Sequence, residues 1–116
     1  MKYESLVEEF AECVAAQSEA IAKGNPTLGN KYAKRYMAAF EKLRSHGDEG
    51  RNALVVLLTD ERADVRVMAA AYLLRHCGDR AKSILESEAK GKGLIGFGAA
   101  QALQRWAEGT WNLDPA

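Results

Sequence analysis

Apolar positions recur three and four residues apart along most of the chain, and that spacing predicts helices. Leu6, Phe10, Val14, Gln17 and Ile21, with Val7 beside them, line one side of a helix over residues 3–23, while Glu4, Glu8, Glu12 and Glu19 fall on the other. Gly24 suits a left-handed stop, and Asn25-Pro26 forbids continuation. A second helix from about Leu28 to His46 has Tyr32, Tyr36, Phe40 and Leu43 as its core face, flanked by Ala33 and Met37, and Gly47 as its stop.

The stretch Asn52–Gly78 predicts two antiparallel helices, Ala53–Leu58 and Asp64–Cys77, joined by the polar turn Thr59-Asp60-Glu61-Arg62. Leu54–Leu58 alone also fits a buried strand, but no glycine-rich turn or second strand offers it a partner. The helix after the turn is apolar nearly all round: Val65, Ala69, Leu73 and His76 on one side, Val67, Ala71 and Leu74 on the other. Such a helix is normally enclosed by its neighbours. Asp79 can cap a helix over Arg80–Ala89 with Ala81, Ile84 and Leu85 inward. The last helix, Leu94–Glu108, turns Ile95, Ala99, Ala102, Leu103 and Trp106 inward, and the irregular tail TWNLDPA follows Gly109.

A shift of 30 residues lays the two C-terminal helix pairs on each other: Leu54 on Ile84, Val65 on Ile95, Ala69-Ala70 on Ala99-Ala100, Leu73 on Leu103, His76 on Trp106 and Arg75 on Arg105. Matched apolar positions on inward faces are what stacked helix pairs require. The expected fold is all-α: one domain of six helices in three antiparallel pairs, stacked as a short right-handed α-α superhelix. Its parts are a helix pair over 1–47, a repeat over 48–78, a degenerate capping repeat over 79–109 and the tail 110–116.

Within that frame the motif LLTDERADVRVMAAAYLL resembles a HEAT-type repeat: an apolar first helix, an Asp in the turn, Val-Arg opening the second helix, then a small-residue pair and Leu. The resemblance implies that Asp60 and Arg66 tie the turn to the helix start. The second copy departs from the pattern, with Lys90 and Gly96 in those places, so its turn must be held another way. The chain as a whole is similar to a small bacterial family of HEAT-like proteins known only as a domain of unknown function. The N-terminal helix to Gly24, the Tyr36…Phe40…Leu43…Gly47 helix and the string Gly93-Leu94-Ile95-Gly96-Phe97…Ala100…Leu103…Trp106…Gly109 carry that likeness. It implies an α-α superhelix without an established activity. Some relatives of such small helical proteins are cytoplasmic antidotes to secreted bacterial toxins, so the resemblance also implies an immunity protein with a toxin as its partner.

Composition narrows the role by exclusion. The chain has 116 residues, 47% of them hydrophobic and 28% charged, with sixteen basic against sixteen acidic side chains. That balance gives no general attraction to nucleic acid or anionic membrane. No apolar run is long enough to span a bilayer, and glutamates occupy the place of a signal peptide's apolar region. Cys13 and Cys77 lack the density of a disulfide scaffold, so a reducing cytoplasmic location is expected.

The residues offer little chemistry. Gly91-Lys92-Gly93-Leu94-Ile95-Gly96 satisfies G-x-G-x-x-G, but SILESEAK before it reads as helix where a dinucleotide site needs a strand. The competing reading makes Gly91 and Gly93 a turn, with Gly96 and Gly98 admitting a neighbouring helix. Cys13, His46, His76 and Cys77 show no metal-ligand spacing, and no serine or cysteine has a base and an orienting group beside it. We therefore expect no catalytic residues, metal, cofactor or small-molecule substrate.

Two surfaces remain. Val67, Ala71, Leu74 and Arg75, followed one repeat later by Phe97, Gln101, Gln104 and Arg105, would line the concave side of stacked pairs. Apolar residues ringed by arginine suit a protein interface. The competing reading is that the first two helices or the Trp111 tail cover that surface. The alternative function is weak nucleic-acid binding by Lys31, Lys34, Arg35 and Lys42 on the second helix, a segment with five basic residues and one acid from Lys31 to Arg44 and hence a net charge of +4. The segment 1–23, with two basic residues and five acids, carries −3.

Overall fold

A computed structural model describes residues 3–115. Among them are six α-helices, one short 3-10 helix and no strand, so the fold is all-α. The helices are α1 (Glu4–Ala22), α2 (Pro26–Arg44), α3 (Asp48–Leu54), α4 (Ala63–Tyr72), α5 (Gly78–Ala89) and α6 (Gly93–Glu108), with the 3-10 segment Val55–Thr59 between α3 and α4. The chain folds as two compact units, an N-terminal one over residues 1–57 and a C-terminal one over residues 58–116.

In the N-terminal unit α1 and α2 form a hairpin. Its turn follows from local chemistry: Gly24 takes a φ of 77°, and the Asn25 side chain accepts the Leu28 N–H at 3.1 Å. Pro26, which lacks an N–H to leave unpaired, opens α2 two residues earlier than periodicity predicts. Phe10, Cys13 and Val14 of α1 and Tyr36, Phe40 and Leu43 of α2 are buried. Phe10 meets Tyr36 edge-on at 5.5 Å, and the Tyr36 hydroxyl donates to Gln17 Oε1 at 3.2 Å. Ile21 and Met37, both expected in the core, are exposed. Ile21 lies over Gly29, which has no side chain to bury it against, and Ala39 takes the inward place that periodicity gives Met37. The short α3 sits hard against the end of α2. A Cβ at Gly50 would collide with the Leu43 carbonyl, so only glycine permits that approach.

In the C-terminal unit α4 packs against both α5 and α6, which pair with each other. Val65, Val67 and Ala69–Tyr72 are buried around the whole of α4, as its all-round apolar pattern requires. The helix stops at Tyr72, five residues before the expected end. No glycine or proline marks that stop. The Ala71 carbonyl accepts the indole N–H of Trp111 at 2.8 Å, in the place where a continuing helix would offer the Arg75 N–H. Gly78 then begins α5 instead of ending α4, and Asp79 lies in its first turn without capping it.

The turn before α4 is clamped by Arg66. Its guanidinium donates to the Asp60 and Glu61 carbonyls at 2.8 and 3.0 Å and reaches Glu88 Oε2 on α5 at 2.7 Å. The Asp60 carboxylate accepts the Arg62 N–H at 3.0 Å, so Asp60 and Arg66 meet through the main chain and not as an ion pair. The equivalent turn before α6 has no such clamp. There a Cβ on Gly96 would strike the Gly91 carbonyl, so the turn packs directly on the helix backbone. Gly98 faces open space, and no helix approaches it. The second copy is the more exposed: Val65, Leu54 and Leu73 are buried, whereas Ile95 is exposed and Ile84 and Leu103 are half-buried.

Candidate protein-docking surface

The eight side chains expected to form one open face separate into two groups. Val67, Ala71 and Leu74 are buried, Leu74 to 1% exposure, and of the three only Ala71 lines the groove described below. The tail lies against α4 at Ala71 and against Arg75 beyond it. After Gly109 the chain turns back, and Trp111 meets Trp106 edge-on with ring centres 5.1 Å apart while its indole N–H bonds to Ala71. Arg75 Nε donates to the Asp114 carbonyl at 2.7 Å, and its guanidinium lies 5.5 Å from the Trp111 ring centre. Arg75 therefore holds the tail in place. Asp114 is fully buried beneath it.

Phe97, Gln104 and Arg105 on α6 are exposed and Gln101 is half-buried. Two further apolar side chains of α6 are exposed, of which Leu94 joins this face while Ile95 lies about 100° round the helix from it. Periodicity gives Leu94 no role and turns Ile95 inward, yet Leu94 is 73% exposed, Phe97 63% and Ile95 39%. Leu94 and Phe97 stand three residues apart and so share one helix side. That spacing is present in the sequence, but Ile95 beside them diverts the inward face.

A groove of about 280 Å³ runs between this side of α6 and the tail. Phe97, Gly98, Gln101, Ala102 and Arg105 line it from α6, and Trp111, Asn112 and Leu113 from the tail. Among the described residues Arg105 is its one charged lining residue. Gln104 points its amide at Glu108, 3.2 Å away. The surface can thus offer apolar contact, the amides of Gln101, Gln104 and Asn112, and a cation.

In the N-terminal unit, Lys31, Lys34 and Lys42 are exposed on α2. Arg35 is drawn towards α1 by Glu9 at 3.6 Å and lies 5.9 Å from the centre of the Tyr32 ring. Burial pushes the Cys13 thiol above its ordinary value, with Arg35 opposing, and does the same to Cys77 against Arg80. Both thiols therefore stay protonated near neutral pH. Among the described residues no cluster of three or more His, Cys, Asp or Glu could hold a metal ion, and no helix is long and apolar enough to cross a membrane. No protein-family model, curated protein or solved structure matches the chain.

Proposed function

We propose that this chain is a non-enzymatic, protein-binding helical module that docks its partner on the outer side of α6. One observation carries the reading: Leu94 and Phe97 stand exposed together on one side of the last helix at its start. A helical array normally ends in a polar outer face, and clustered exposed apolar side chains mark interaction surfaces. A HEAT-like immunity protein that covers a toxin in the cytoplasm is the narrower form of this proposal, supported by the resemblance of the Gly93–Gly109 string. Phe97→Asp tests the docking surface. As a surface change it is expected to leave stability within about 0.5 kcal/mol and to abolish capture of the partner that the unaltered protein retains. Full retention by this variant would refute the proposal.

The second reading, a weak nucleic-acid contact along α2, is favoured by the exposure of Lys31, Lys34 and Lys42. Three or four phosphate contacts give a log–log salt slope of about −3. Retention on DNA or RNA at low salt that Lys31→Glu and Lys34→Glu remove would support it, and absence of retention would end it.

A further inference from the structure

The outer side of α6 is unlike at its two ends. Leu94 and Phe97 occupy the first turn, while Gln101, Gln104, Arg105 and Glu108 occupy the last turns. A second copy laid antiparallel on this helix would set Leu94 and Phe97 against Arg105 and Glu108. That arrangement would dehydrate charges against apolar side chains at both ends, so the surface is poorly matched to itself. The groove also has a definite size. At about 280 Å³ it lies just below the range of small-molecule pockets and suits one large side chain.

Charge then selects the occupant. Among the described residues no acidic side chain lines the groove, Arg105 is part of its lining, and no carboxylate forms an ion pair with the Arg105 guanidinium. Arg105 follows Phe97 by eight residues, about 12 Å or two helical turns. We infer that, granted the docking reading above, the occupant is an amphipathic helix of a partner protein that lays apolar side chains on Leu94 and Phe97, seats one in the groove against Trp111, and brings an Asp or Glu to Arg105. Its pattern is apolar residues about one turn apart, followed about one turn later by an acid. Helix-in-groove docking read through such spaced anchors is an established mode of recognition, and the charge fixes its direction.

The test is selection of a displayed library of helical peptides on the immobilised full chain, followed by titration of the best synthetic peptide. Enriched peptides are expected to share the apolar–apolar–acid spacing. Arg105→Glu should weaken the chosen peptide about tenfold or more, and changing its acid to Lys should restore binding to that variant. Peptides that lose binding with Phe97→Asp but ignore Arg105→Glu would overturn the acidic-helix inference and leave the docking surface standing. Peptides indifferent to Phe97→Asp, or no enrichment above background, would overturn both.

Discussion

Arg66 joins three segments, so its removal has a calculable cost. Arg66→Ala deletes the donors to two turn carbonyls and both bonds to Glu88. The Arg66 and Glu88 side chains are 27% and 22% exposed, which places their pair between a surface bridge and a buried one. Surface pairs contribute about 0–1 kcal/mol, and breaking a buried pair costs about 3–5 kcal/mol. Discounted for solvent, the Glu88 contact contributes about 1 kcal/mol. The two carbonyl bonds add about 1 kcal/mol more, because water can replace part of them. We expect Arg66→Ala to lower stability by about 2 kcal/mol, or the melting midpoint by about 8 °C. Urea unfolding followed by circular dichroism would measure it. A cycle with Glu88→Gln should show a coupling of about 1 kcal/mol, and Arg66→Lys should recover less than half, since one ammonium cannot span both partners. A loss below about 0.5 kcal/mol, the level of an ordinary surface change, would refute the clamp.

Trp111→Phe keeps a ring against Trp106 but removes the donor to the Ala71 carbonyl; it should cost about 1 kcal/mol and speed hydrogen exchange at Thr110 and Trp111, and unchanged exchange would count against the anchored tail. Alkaline pH should destabilise the protein. Burial raises the Cys13 and Cys77 thiols from 9.0 and the Tyr36 phenol from 10.0, the last against its bond to Gln17. The folded chain therefore holds these protons more tightly, and the stability they contribute is complete below those ordinary values and lost as pH climbs through the raised ones. Urea midpoints should fall above pH 9.0, and Cys13→Ala should flatten that fall; an identical decline in the variant would exclude the thiol as a cause.

Helix positions are legible in the sequence because their signals are local. Gly24 and Asn25-Pro26 mark one hairpin turn within three residues, and the apolar spacing of Phe10, Val14, Tyr36, Phe40 and Leu43 marks what the hairpin buries. The end of α4 is not legible, because the indole that captures the Ala71 carbonyl arrives from forty residues away. The same non-local bond brings the tail to Ala71. Periodicity puts Leu74 and Phe97 on corresponding sides of their helices, but no periodicity states which side a returning tail will cover. Leu74 is enclosed and Phe97 is left open. The turn before α6 is legible as a departure from Asp60 and Arg66, whereas the approach of Gly96 to the Gly91 carbonyl emerges only in three dimensions.

The edge-on contact of Trp106 with Trp111 has a practical consequence. These are the chain's two tryptophans, and both belong to residues 58–116. Indole fluorescence therefore reports on the C-terminal unit alone. Tyr3, Tyr32 and Tyr36 stand in the other unit, and Tyr72→Phe would leave tyrosine emission to that unit alone. Comparing the two emissions during one denaturant titration would reveal, without any added label, whether both halves melt as a single cooperative body.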